Sequence, residues 1–208
     1  PSQRISWHKF AKLILTSCIA GALIVASAWL PKDPLRIREG WNDLVTSVQH
    51  DNYNTSLGGR LALYELAVDS IRESPWLGVG ARERLHRIRT LGLDLPPNEA
   101  AMLSHARTQG HVHNAYLHHT MDGGVIGLAG FVLTIAGLLA AAHALGSTHP
   151  VSRRQLQGLA FVHAVASLSN VNLAHNYYVI MLSLCVLLVL AQAQIAQSSP
   201  EGLPLDQD

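Results

Sequence analysis

The chain has 208 residues, of which 49% are hydrophobic, and its formal net charge at pH 7 is +1. This length suffices for one soluble domain or a few membrane spans. Because the charge is nearly balanced, the chain lacks the basic excess of nucleic-acid-binding proteins, and we expect no nucleic-acid partner. The apolar residues are concentrated near the start and in the last third, with a polar middle between them.

Four apolar stretches predict transmembrane helices, since a bilayer core requires about 20 mostly apolar residues per helix. They cover residues 13–30, 123–145, 156–173 and 177–193. The third stretch is the least apolar, because it contains polar residues such as His163 and Asn170. The predicted fold is therefore an all-α polytopic membrane protein with about four transmembrane helices and a large, partly helical loop.

Basic residues orient these helices, because Lys and Arg favour the cytoplasmic side of a membrane. Arg4, Lys9 and Lys12 precede the first stretch, and Arg153 and Arg154 lie between the second and third. This pattern predicts cytoplasmic segments at 1–12, 146–155 and 194–208, and an external loop at 31–122. In a bacterium the chain would be a multi-pass protein of the inner membrane, with the loop in the periplasm.

The first apolar stretch has two other interpretations. Ala26-Ser27-Ala28 resembles a signal-peptidase site, and Leu15-Thr16-Ser17-Cys18 resembles a lipoprotein processing box. Because the apolar run continues well past Cys18, we favour an uncleaved span. Cys18 and Cys185 both lie in apolar runs, so we expect no disulfide. The chain begins at Pro1 rather than at a methionine, and we expect it to be part of a longer protein with further N-terminal spans.

The large loop contains patterns typical of short helices. Apolar residues recur at helical spacing over 60–73, and Pro75 is expected to stop this helix. A second helix is predicted over 81–91, and Asn98 is a candidate cap for a third.

The chemistry-bearing residues are concentrated at 111–124, where His113-Asn114-Ala115-Tyr116-Leu117 precedes an apolar run. If a helix begins near Asn114, His113 lies at its N-terminal end, where the positive helix dipole disfavours imidazolium. A neutral imidazole can act as a general base near pH 7. The same helix end attracts phosphate groups.

This segment resembles the C-terminal signature of the O-antigen ligase and O-antigen polymerase superfamily. Its ligases have a histidine followed, after ten residues, by a glycine, as His113 and Gly124 are spaced here. They also have an arginine, three residues and a leucine earlier in the loop; Arg60 matches the arginine, but Tyr64 replaces the leucine. The turn 74–80 is similar to the family's proline-then-glycine turn, and the resemblance extends over about 59–176. Because Tyr64 departs from the ligase pattern, the sequence does not distinguish an O-antigen ligase from an O-antigen polymerase.

The resemblance implies a membrane glycosyltransferase that moves an O-antigen glycan from undecaprenyl pyrophosphate to a hydroxyl of the lipid A core. His113 would deprotonate or orient the acceptor, and Arg60 would bind the pyrophosphate, since a guanidinium matches phosphate oxygens. Asn114, Tyr116, Gly124, Arg82, Arg84 and His175 are the candidate substrate-binding residues. No cofactor is implied. Because the family's N-terminal spans are expected before Pro1, we expect this chain alone to be inactive.

Two simpler interpretations accompany these residues. The arginines of 82–89 also fit the solvated face of an interfacial helix whose Leu85 and Ile88 dip into the membrane. The histidines around His113 also suggest zinc, but no His-Glu-x-x-His pattern is present and Asp122 is the one carboxylate nearby, so we predict no metal site.

His175-Asn176-Tyr177-Tyr178 repeats the histidine-asparagine pattern of 113–116 at the predicted periplasmic end of another span. Polar residues in membrane segments often line cavities. We therefore hypothesise that Asn170, Asn172 and His175 face the same cavity as His113; capping of a short hairpin is the alternative.

For the whole chain, three alternatives to a ligase stay open. The first is an O-antigen polymerase or protein O-oligosaccharyltransferase of the same superfamily, the second a non-catalytic truncated relative that binds lipid-linked glycan, and the third a membrane zinc protein.

Overall fold

The computed structural model describes residues 36–50 and 52–198, together with Ala26. Over these residues the chain is all-helical, with no strand. The helices are α1 (Ile37–His50), α2 (Ser56–Glu73), α3 (Ala81–Thr90), α4 (Pro97–Met102), α5 (Ser104–Arg107), α6 (Ala115–Ala144), α7 (Pro150–Ala166) and α8 (Asn176–Ser198), with a 3-10 helix at Asn172–Ala174 before α8. Apart from Ala26, the predicted cytoplasmic segment 1–12 and span 13–30 lie outside the described residues, as does Cys18.

Local sequence explains the helices of the loop. Helix α2 is confirmed, and it begins at Ser56 because the side chain of Thr55 accepts a hydrogen bond from the backbone N–H of Gly58 (3.0 Å). The prediction for Asn98 was wrong: α4 begins at Pro97, the preferred first helical position for proline, so Asn98 lies inside the first turn.

The loop helices pack around a hydrophobic core. Its buried members are Ala62, Leu63, Ala67, Ile88, Ala106, Val112 and Met121. The prediction that Ile88 dips into the membrane was wrong, because its side chain is fully buried against these residues. Met121 comes from α6, so the loop is packed directly onto the first turns of a long apolar helix.

Two of the helices, α6 and residues Asn176–Ala196 of α8, are long and apolar enough to cross a membrane. Only 11% of the residues in each apolar window are buried, whereas the core helix of a soluble protein would be mostly buried. The third predicted span corresponds to α7, which has 17 residues and ends at Ala166 with Ser167 as its C-cap. The described residues therefore support a membrane protein with two candidate spans. Of the four predicted spans, 13–30 lies almost entirely outside the described residues, and 156–173 stays a prediction.

Helices α6 and α7 run antiparallel. At one end, the backbone N–H of Ala115 donates to the carbonyl of Ser167 (2.8 Å). At the other end, Ala142 of α6 packs against Leu156 of α7 and Val189 of α8. The predicted site residues at the start of α6 consequently lie beside the end of α7 and the start of α8.

Candidate functional site

His113 is held in a strained backbone conformation directly before α6. Its φ is +54°, in the left-handed region that residues other than glycine rarely adopt. Asn114 is the N-cap of α6, and its side-chain oxygen accepts from the N–H of Leu117 (3.1 Å). The helix therefore begins at Ala115, earlier than the apolar run at Gly123 suggested, and His113 stands at its N-terminal end as the sequence predicted.

The hydrogen bonds of His113 favour one neutral tautomer. Its Nε2 lies 2.9 Å from Oε1 of Gln109, whose amide nitrogen donates to the carbonyl of His105 (3.4 Å). Since an amide oxygen only accepts, the ring donates from Nε2, and Nδ1 is then the nitrogen able to accept a proton. Burial lowers the pKa of His113 to about 4, helped by the positive potential of His111 and Arg60. The imidazole is thus uncharged at neutral pH.

His113 and Arg60 line the same small cavity, although they are far apart in sequence. The cavity has a volume of about 140 Å³ and is bounded by Ser56, Gly59, Arg60, His105, Gln109 and His113. A cavity of this volume is large enough for a phosphate or a hydroxyl-bearing group.

A second cavity lies on the other side of Arg60. Its volume is about 170 Å³, and Ser56 and Arg60 belong to both linings. Its remaining walls come from Leu57 and from the start of α1, including Glu39 and Asp43. Arg60 therefore borders two cavities.

Tyr64, the position that departs from the family pattern, touches the site. It lies one turn after Arg60 on α2, and its hydroxyl donates to the backbone carbonyl of His113 (3.2 Å). Burial raises the pKa of Tyr64, with the charge of Arg60 opposing the rise, so the hydroxyl remains a donor at neutral pH. The sequence did not predict a contact between Tyr64 and His113, although the position of Tyr64 on the same helical face as Arg60 was a usable signal. It also did not identify Gln109, which lies four residues before His113.

Asn114 and Tyr116 make hydrogen bonds within the protein. The amide of Asn114 donates to the carbonyl of Leu168 (3.1 Å), and the hydroxyl of Tyr116 donates to the carbonyl of Ala164 (3.1 Å). Both acceptors lie at the end of α7, where carbonyls lack helical partners. These side chains fix the start of α6 against α7; their predicted role in substrate binding stays a prediction.

Gly124 occupies a kink in α6, with φ +60° and ψ −151°. The turn after α2 packs here so closely that a Cβ at Gly124 would collide with the backbone of Trp76. The N–H of Val79 donates to the carbonyl of Met121 (2.8 Å), and that of Val125 donates to Pro75 (2.9 Å). The histidine-to-glycine spacing thus places His113 at one end of the first turns of α6 and the docking point of this turn at the other.

Arg82 and Arg84 do not line either cavity beside Arg60. Arg82 is exposed, whereas Arg84 is buried, pairs with Asp122 (2.7 Å) and donates to the carbonyl of Gly110 (2.6 Å). Arg84 therefore connects α3, α6 and the segment leading to His113. The assignment of these two arginines to substrate stays a prediction.

His175 lies close to the site without lining the cavity of His113. The ring centroids of His111 and His113 are 4.3 Å apart, and those of His111 and His175 are 5.5 Å apart. Burial lowers the pKa of His111, while a hydrogen bond with Asn170 opposes this. Asn172 is buried, and its amide nitrogen has no hydrogen-bond partner. Over the described residues, no three His, Cys, Asp or Glu side chains are arranged to hold a metal ion.

Comparison with known proteins gives the family of this chain. A protein of Haemophilus influenzae described as uncharacterised is 27% identical over 176 residues, covering 79% of this chain and 42% of that relative. The chain thus spans less than half the length of this relative. The sequence profile of the family described as O-antigen ligase matches residues 3–132, which include Arg60, His113 and Gly124. This chain therefore belongs to the O-antigen ligase family, whose members are glycosyltransferase-like membrane enzymes with lipid-linked donors.

Proposed function

We propose that this chain forms the acceptor-activating part of an O-antigen ligase. In this reaction an O-antigen glycan leaves undecaprenyl pyrophosphate and joins a hydroxyl of the lipid A core. The observation that carries the proposal is the shared cavity of Arg60 and His113, which combines a permanent cation with a neutral base. The cavity would face the periplasm of a bacterium, beside the membrane entry of α6.

The two residues would act on opposite sides of the bond exchange. Nδ1 of His113 accepts the proton of the acceptor hydroxyl as its oxygen attacks the anomeric carbon. The bond from that carbon to the pyrophosphate oxygen breaks, and the electron pair leaves with the pyrophosphate. Arg60 stabilises the charge that accumulates there, because a guanidinium donates two parallel hydrogen bonds to phosphate oxygens.

The size of the cavity indicates which parts of the substrates it would hold. A space of about 140 Å³ is large enough for the reacting hydroxyl or a phosphate. The glycan and lipid would occupy surfaces from the rest of the full-length protein. An O-antigen polymerase or a protein O-oligosaccharyltransferase would use the same base and arginine with a different hydroxyl. A non-catalytic relative would keep the cavity and lack those surfaces.

The test is complementation of a bacterium that lacks its own ligase, with the full-length protein and its matching donor. We expect a ladder of O-antigen-capped lipopolysaccharide on a gel, lost in His113→Ala and in Arg60→Ala. Arg89→Ala is the matched control, since Arg89 is exposed and lines neither cavity. A ladder that survives His113→Ala would contradict the proposed base. Polymerised but unattached glycan would favour the polymerase.

A further inference from the structure

Another cavity lies at the opposite end of α6 from His113. It has a volume of about 400 Å³ and is lined by Gly146, Ser147, Pro150, Arg153, Arg154 and Gln157. Helix α6 separates it from the first site by roughly 40 Å, at about 1.5 Å per residue. The reaction at His113 makes no use of this space.

The two arginines of this cavity have no acidic partner within the described part of the chain. The sequence contains no Asp or Glu from Gly123 to Pro200. Asp122, the nearest carboxylate before them, lies at the far end of α6 and pairs with Arg84. Arg153 is nevertheless half-buried. Because a partly buried guanidinium is stabilised by an anion, the cavity has the charge of an anion site.

The backbone adds further positive potential. Arg153 and Arg154 lie in the first turns of α7, which begins at Pro150. The first N–H groups of a helix have no earlier carbonyl to bind, and the helix dipole is positive at this end. Two side chains and a helix terminus therefore favour the same charge in one cavity.

The surroundings indicate which anion fits. The cavity adjoins the exit of α6, a candidate membrane-spanning helix, so it lies at the level of a membrane surface. Apolar side chains nearby are exposed, including Val151 (57%) and Leu139 (47%). An anionic phospholipid presents a phosphate at this level and acyl chains beside it. We propose that this cavity binds the phosphate headgroup of an anionic phospholipid, held by Arg153, Arg154 and the start of α7.

The test uses the full-length protein purified in a neutral detergent. Its thermal unfolding midpoint is measured with added phosphatidylglycerol, phosphatidylcholine or inorganic phosphate, and retained lipid is counted by native mass spectrometry. We expect phosphatidylglycerol to raise the midpoint by about 2–4 °C, a shift typical of modest ligand stabilisation in a protein of this size. Phosphatidylcholine and inorganic phosphate should have little effect.

Arg153→Gln with Arg154→Gln should abolish the phosphatidylglycerol shift and the retained lipid. The matched control is Arg72→Gln with Arg89→Gln, which removes two exposed arginines of the loop and should leave both intact. An equal response to phosphatidylcholine in the wild type overturns the proposal without any variant. A response to inorganic phosphate alone would show that the cavity binds a free anion and not a lipid headgroup. An unchanged shift in the Arg153/Arg154 variant would show that the lipid binds at another site.

Discussion

The loop region of α2–α5 and the helices α6–α8 bury their apolar side chains differently. In the loop region, Leu63 and Ile88 are completely buried by protein. In the helices, Leu133 is 67% exposed and Leu188 is 69% exposed, although both lie in the most apolar parts of the chain. The first region follows the rule for water, in which apolar groups cover one another. The second fits a lipid solvent, in which exposed apolar side chains cost nothing.

The proposed site lies where the two regions meet. Arg60 comes from the loop region, and His113 stands at the entry of α6. The turn at Pro75–Gly80 and the Arg84–Asp122 pair join the regions on the neighbouring side. The geometry of the proposed site therefore depends on how the two regions pack at this junction.

The largest effect is expected from Arg84→Ala. Removing Arg84 leaves the partly buried carboxylate of Asp122 with only a 3.5 Å contact to Nε2 of His118, and this should cost about 3–5 kcal/mol. The thermal unfolding midpoint of the purified full-length protein measures the loss. Arg82→Ala, on the exposed face of the same helix, should stay within about 0.5 kcal/mol of the wild type. Equal losses in the two variants would mean that the Arg84–Asp122 pair does not join the regions.

A pair of exposed leucines tests the difference in solvent. Leu133→Asp places a charge in the apolar part of α6 and should cost about 2.5–3.5 kcal/mol of membrane insertion. Leu93→Asp changes a leucine of similar exposure in the loop region (59%) and should cost less than about 0.5 kcal/mol. The fraction of protein inserted in the membrane is the measurement. If both variants insert like the wild type, α6 does not contact lipid.

Tyr64→Phe should have a smaller effect, confined to the site. It removes one hydrogen bond to the backbone of His113, worth about 0.5–1.5 kcal/mol. We expect kcat of the full-length enzyme to fall about 2–10-fold with KM unchanged, because the base is displaced rather than the substrate. Tyr177→Phe, on an exposed tyrosine, is the control. A change in KM alone would show that Tyr64 contributes to substrate binding and not to the positioning of His113.

The pH dependence should be the mildest effect over the physiological range. Because the pKa of His113 is lowered to about 4, the base is neutral at pH 6–8 and is lost only as the pH falls through about 4. An ordinary histidine would be half protonated near pH 6.5. Initial transfer rates from pH 4.5 to 8 should therefore show no inflection assignable to this base above about pH 5. A twofold loss near pH 6.5 would show that His113 is more exposed during turnover.

Local sequence patterns predicted much of the loop and little of its assembly. The spacing of apolar residues located α2, whereas the apolar run placed the second span from Gly123 and α6 begins at Ala115. Ile88 was assigned to the membrane because an apolar residue among arginines fits both a protein core and a lipid surface. Periodicity gives the face of a helix but not what covers it. The same limit applies to the span predicted over 156–173, which overlaps α7 (Pro150–Ala166) and stays a prediction.

The sequence by itself determined the helical class, the apolar character of α6 and α8, and the residue types suited to glycan transfer. Tertiary structure alone decided that Arg60 and His113 share a cavity, because their contact depends on how α2 packs against the start of α6. It also decided that Arg84 is paired internally and that Gly124 lets a turn approach the backbone. Composition and spacing specify what a side chain can do, whereas long-range packing selects its partner.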